Sequence, residues 1–171
     1  MEWRLREATP ADAETLSQTV AQGFEGYRSF APPGWRPPAD ETDATRSRLG
    51  TPELWCLLAE SPSGQPAGHV AVMPAALHAG RPSDDPELAH LWQLFVRERW
   101  WGSGLAGELH SRMVEGTAQR GYRLLRLFVA AGQTRARRFY EREGWTLHAE
   151  PRFEAALGLS LVEYRYALTS P

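Results

Sequence analysis

The stretch that runs from "ELAHLWQLFV" through "RERWWGSGLAG" most constrains what this chain can fold into. The apolar run "ELAHLWQLFV" is predicted as a strand, and "LAGELHSRMVEGTAQRG" continues as a helix ended by Gly121. A strand that passes through glycines straight into a helix presents the helix's first N–H groups to an anion. Gly102, Gly104 and Gly107 also spell G-x-G-x-x-G, the dinucleotide-binding fingerprint. That fingerprint normally follows the first strand of a parallel sheet and is followed by an acid about 20 residues on. Here it arrives near the middle of the chain, and the next strand candidate, "YRLLRLFVA", holds no acid. The third glycine, Gly107, is then incidental, a small residue that permits close packing in the first helical turns.

The rest of the chain arranges itself around this unit. "WRLREAT" alternates as a first strand, and Thr9 is the N-cap of a helix that starts at Pro10, with Ala13, Leu16, Val20 and Phe24 at helical spacing. "RSFAPPGWRPP" is proline-rich and irregular, and a short helix follows around "DETDATRSRL". "ELWCLLAE" and "AGHVAVMP" read as an antiparallel hairpin. After the glycine turn and its helix come a strand, the helix "TRARRFYEREG" closed by Gly144, and two final strands. The order β-α-α-β-β-β-α-β-α-β-β predicts an α/β (α+β) fold with a mixed sheet rather than a repeating parallel winding.

With 171 residues the chain is expected to form one domain over 1–171. The single cysteine, Cys56, lies in an apolar run and leaves no multi-cysteine metal site, and the histidines lack zinc spacing, so no metal is expected. The sequence holds no lysine, which excludes a P-loop nucleotide site. A net charge of −2 gives no pull toward nucleic acid. No apolar run is long enough to cross a membrane, and the first residues lack a signal-peptide pattern, so a cytoplasmic location is expected.

"LFVRERWWGSGLAGEL" resembles motif A of the GCN5-related N-acetyltransferase (GNAT) family, R/Q-x-x-G-x-G/A, with Trp101, Gly104 and Ala106 at its specified positions. "QTRARRFYEREGW" resembles the family's motif B, with Ala136, Phe139, Tyr140, Glu141, Gly144 and Trp145 in register. The sequence departs from the pattern at Trp101 (usually Arg or Gln), Glu98 (commonly Pro) and Gln133 (usually Asn). The resemblance implies a GNAT-like fold whose two central strands splay apart and whose cofactor is acetyl-CoA, a coenzyme A thioester.

It also implies roles for particular residues. Leu94, Phe95 and Val96 run beside pantetheine, Val96 through its main chain, and the N–H of Leu94 faces the thioester carbonyl. Backbone N–H groups of Gly102, Ser103, Gly104, Leu105 and Ala106 hold the pyrophosphate, Trp101 and Gln133 border it, and Arg138 is a candidate for the outer phosphates together with Arg97, Arg99 and Arg135. Tyr140 is the candidate acid for the leaving thiolate. His90 is the candidate base, with Glu87 second; strand alternation, barring a bulge, puts His90, Trp92, Leu94 and Val96 on one face. Phe30, Trp35, Phe153 and Tyr164 are candidate walls of an acceptor pocket. The expected function is acetyl transfer to a primary amine of a small molecule by direct attack in a ternary complex. A peptide or protein amine and a non-catalytic acyl-CoA sensor are the alternatives, and a homodimer is open.

Overall fold

Seven strands form one sheet, and four helices lie against it. In the computed structural model, which describes residues 1–169, the elements are β1 (Arg4–Glu7), α1 (Ala13–Glu25), α2 (Thr42–Leu49), β2 (Trp55–Glu60), β3 (Pro66–Pro74), β4 (Leu88–Val96), α3 (Leu105–Gln119), β5 (Leu124–Ala130), α4 (Thr134–Arg142), β6 (Thr146–Glu154) and β7 (Leu159–Ala167). This is the predicted order. Thr9 caps a 3-10 turn, Pro10–Asp12, and α1 starts only after it. The Asp12 carboxylate accepts the Thr9 N–H at 2.8 Å and takes a two-pronged contact from Arg6.

The sheet runs β1-β2-β3-β4-β5-β7-β6, and every neighbouring pair is antiparallel except β4 and β5. That parallel pair meets at only three rungs, Leu88 with Leu124, Ala89 with Leu125 and His90 with Arg126. Beyond the third rung the strands separate, and a gap opens toward their C-terminal ends. One sheet face carries the larger core, in which Val70, Val72, Ala89, Leu91, Leu125, Leu127 and Val129 pack with Leu105, Leu109 and Met113 of α3 and Tyr140 of α4. The other face carries Cys56, Leu58 and Ala71 under Ala13, Leu16 and Leu49.

The structure departs from two expectations. Val72 pairs with Leu91 but Ala71 pairs with Gln93, so β4 holds one extra residue, Trp92. Such a bulge reverses the side-chain parity of the strand. Leu94 and Val96 therefore join Ala89 and Leu91 at the α3 face, whereas Trp92 packs on the α1 and α2 side. His90 does not share a face with Leu94. Gly107 is not needed for packing either, because a Cβ there would meet nothing within 4 Å.

Candidate active site

The glycine turn folds as it does because two residues need left-handed backbone. Gly102 has φ +78° and Gly104, the N-cap of α3, has φ +87°, a region that costs L side chains about 1–2 kcal/mol. The first N–H groups of α3 lack intrahelical partners by geometry. Within the turn, Ser103 N–H donates to the Trp100 carbonyl at 3.3 Å and Leu105 N–H to Ser103 Oγ at 3.3 Å. Among the described residues, the N–H groups of Gly102, Gly104 and Ala106 make no such bond. The helix start is thus a donor cradle fit for a pyrophosphate.

The open edge of β4 can be read from one hydrogen bond. Arg97 N–H donates to Ala67 of β3 at 2.9 Å, and polar groups alternate sides along a strand. Leu94 and Val96 therefore turn their N–H and C=O toward the gap, while Phe95 turns its own toward β3. The Phe95 ring packs on α1, 6.0 Å from Phe24 and in the space a Cβ on Gly23 would need. Phe95, expected beside the cofactor, packs its ring on α1 and turns its backbone toward β3, away from the gap.

Trp101, the motif's main departure, is 46% exposed and still held. Its indole N–H donates to the Val96 carbonyl at 2.8 Å, and the Arg135 guanidinium lies 3.9 Å from its ring centroid. A cation on an indole face is attracted by the ring quadrupole. Trp101 thereby carries a positive charge on its own ring at the position where the family pattern has Arg or Gln. Arg138, three residues on and on the same helix face, is also exposed. Two other arginines are spoken for: Arg97 donates to Thr19 Oγ1 at 2.9 Å, and Arg99 to Gln65 Oε1 at 3.0 Å. Gln133 is the N-cap of α4 and accepts the Arg137 N–H at 3.0 Å through its carbonyl.

Tyr140 is buried in the larger core, edge-on to Phe139 and Trp145. Burial, with a smaller contribution from Tyr27, pushes its hydroxyl pKa up, so it carries its proton at neutral pH, as a proton donor must. Tyr27, which the sequence reading did not single out, is itself pushed up to about 12 by burial. It stacks on Trp35 and touches Phe30 and Phe24. Trp35 is pinned by its indole N–H to the Leu157 carbonyl at 2.7 Å, and Phe30 covers Gly132. Tyr164, expected in an acceptor wall, is fully buried and locks the core by donating to Glu141 Oε1 at 2.6 Å. Phe153 stands largely in solvent.

His90 lies at the last rung below the gap, with Arg126 beside it. Arg126 Nε donates to His90 Nδ1 at 3.2 Å, which spends the ring's basic lone pair and leaves Nε2 as the N–H. Burial first, then the neighbouring His78 and Arg126, hold the ring neutral, with its pKa well below the usual value. This environment opposes the proton-accepting role expected of His90. Glu87, the second candidate, sits beyond the paired end of β4, where it meets Arg123 at 3.7 Å. It lies three residues, about 10 Å, from His90 and away from the gap.

A mixed sheet whose central parallel pair splays beside a glycine-led helix start is the architecture of a coenzyme A-dependent acyltransferase. The sequence profile of the acetyltransferase (GNAT) family matches residues 21–145, and the chain belongs to that family. Among solved structures it resembles yncA of Salmonella typhimurium, which was solved with its cofactor acetyl-CoA. The two share 16% identity and a TM-score of 0.77, over 100% of this chain and 96% of that one. A GCN5-related N-acetyltransferase from Kribbella flavida matches at TM-score 0.72 and 18% identity, over 97% of this chain and 98% of that one. NAA60 of Arabidopsis thaliana, in complex with a bisubstrate analogue, matches at TM-score 0.72 and 18% identity, over 99% and 100%. No curated protein matches the sequence. The family is one of acetyl-CoA-dependent acetyltransferases, and no helix among the described residues is long and apolar enough to cross a membrane.

Proposed function

We propose that this chain transfers an acetyl group from acetyl-CoA to a primary amine of a small molecule, by direct attack in a ternary complex. The observation that carries the reading is the open edge of β4 beside the free N–H groups of the α3 start, with Tyr140 in the core cluster against which Leu94 and Val96 pack. Acetyl-CoA, when bound, supplies an acyl group already activated as a thioester. The N–H groups of Gly102, Gly104 and Ala106 would hold its pyrophosphate, with Arg135 and Arg138 at the outer phosphates. The Leu94 N–H, turned into the gap, would donate to the oxygen on which negative charge develops. Tyr140 would give its proton to the departing sulfur. Cys56 takes no part, since burial pushes its thiol up to about 12. His90, held neutral with its Nδ1 lone pair taken by Arg126, is not the base; the amine's proton leaves through water.

The deciding experiment is thiol release from acetyl-CoA across a panel of small amines and short peptides. Small amines are expected to be used in preference to peptides, and Tyr140→Phe to lower kcat by about a hundredfold with the KM for acetyl-CoA little changed. A variant as fast as the parent would remove Tyr140 from the chemistry. Binding of acetyl-CoA with no thiol release to any amine would make the chain a sensor.

A further inference from the structure

Next to the last rung of the β4–β5 pair lies a cluster that the transfer chemistry does not use. It is built from His78 and Arg81 of the loop between β3 and β4, His90 of β4, and Arg126 and Phe128 of β5. The His78 and His90 rings are 4.4 Å apart at their centroids. The guanidinium groups of Arg81 and Arg126 both lie on Phe128, at 4.5 and 4.7 Å from its centroid. Arg126 is only 3% exposed, although it stands in an otherwise apolar strand.

Every acceptor in this cluster is already taken. His78 Nδ1 accepts the backbone N–H of Arg81 at 3.0 Å, and His90 Nδ1 accepts Arg126 Nε at 3.2 Å. Each imidazole is left with Nε2–H, a donor. Among the described residues, Arg126 Nη2 and the Nε and Nη2 atoms of Arg81 are buried without a hydrogen-bond partner. The nearby carboxylates do not relieve this. Glu163 is engaged by Arg165 at 2.6 Å, and Glu154 stands 3.6 Å from Arg81, beyond hydrogen-bond range. A buried donor without an acceptor costs about 1–3 kcal/mol, and here several converge at one place. Arg165 and Glu163 offset each other, as do Arg81 and Glu154, so within the cluster Arg126 is the cation left without a carboxylate of its own, and Arg48 adds positive charge near His78. Such a donor-only, positively charged cluster suits an anion with two acceptor oxygens.

We infer that Arg126 and Arg81 bind a carboxylate on the acceptor, so that the preferred substrate is a primary amine that also carries a carboxylate. The inference rests on the transferase reading and narrows its substrate class. The cluster flanks the last rung, His90 with Arg126, beyond which β4 and β5 part, so an acceptor whose carboxylate is held there has its amine on the side of the gap. Two guanidinium groups already ordered on Phe128 lose little freedom when the anion arrives.

The test compares matched pairs. Thiol release is measured for α-amino acids and for ω-amino acids of increasing length, each against its own carboxamide. At one spacing or more, the acid is expected to exceed its amide in kcat/KM by about tenfold or more, the worth of one charge-assisted pair. Arg126→Gln should bring that ratio to within about threefold. Arg81→Gln, on a loop and partly exposed, should reduce it in the same direction if the Arg126 variant fails to fold. Acids and amides used equally at every spacing would overturn the inference while leaving the transferase reading intact. A tenfold preference for aminoalkylphosphonates over carboxylates would overturn the choice of carboxylate. If no amine releases thiol, the transferase reading falls and binding decides. Thermal stabilisation of the parent by the acids but not the amides, lost in the variants, would still support the anion site, and its absence would refute it.

Discussion

At the level of single residues, Trp101 shows how a motif position can change its letter and keep its charge. The family pattern places an Arg or Gln there; this chain places an indole that is anchored to Val96 and carries Arg135 on its face. Two separable effects follow. Trp101→Ala removes the platform and leaves Arg135 unguided, and the Kd for coenzyme A should rise about fivefold, the worth of an exposed cation–π contact of about 1 kcal/mol. Trp101→Phe keeps a ring under Arg135 and should stay within about twofold of the parent, even though it gives up the bond to Val96. Calorimetric titration of the three proteins with coenzyme A reads this directly; equal losses in both variants would mean that the indole N–H, not the stack, is what matters. The same residue-scale logic shows what the sequence concealed. Arg126 is the lone charge in "LLRLFVA", but only the fold shows that it is buried, where a charge needs a partner. His90 looked like a base, because sequence gives the residue type but not the hydrogen bond that fixes its tautomer.

At the level of elements, the order of strands and helices was legible because it rests on local periodicity and on glycine stops. Gly121 and Gly144 do end α3 and α4 in left-handed backbone, at φ +90° and +97°. The bulge at Trp92 was not legible, since one extra residue in β4 leaves no compositional mark and is fixed only by pairing with β3. It decides the site, because it sends Leu94 to the α3 face and leaves His90 on the other. The glycines of the turn make the matching point for α3. Three look alike in "GSGLAG", yet Gly104 is left-handed and Gly107 sits in ordinary helix with open space beside it. Gly107→Ala should therefore raise stability by about 0.5–1 kcal/mol, or about 1–4 °C in Tm. Gly104→Ala should lower it by at least as much, because an L residue is strained at φ +87°. Thermal melts of both variants settle the assignment, and a destabilised Gly107→Ala protein would show that this glycine is structural after all.

At the level of the whole molecule, the two halves of the sheet share only three rungs between β4 and β5, and the polar residues near that joint are mostly histidine and arginine. His69 is fully buried on β3, bonds Gln93 at 2.9 Å, and has its pKa lowered to about 4, mainly by burial. His78 is lowered to about 4 and His90 well below its usual value, again first by burial. An unfolded chain takes up protons on these rings as pH falls below about 6.5, whereas the folded chain refuses them until about pH 4 at His69. The unfolded state then holds more protons, so stability is full above about pH 6.5 and falls as pH is lowered through that window. For His69 alone the loss approaches about 3 kcal/mol near pH 4, a large share of the roughly 5–15 kcal/mol that holds a domain together. The Asp12 carboxyl, held at about 2 by its bonds from Arg6, adds its own loss only at lower pH, so the two effects separate. Urea unfolding from pH 7.5 to 4 should show the decline, and His69→Gln should make its slope shallower by up to one proton, about 1.4 kcal/mol per pH unit. An unchanged slope in that variant would mean that the ring is already protonated in the folded protein, and that the buried bond to Gln93 is made by an imidazolium.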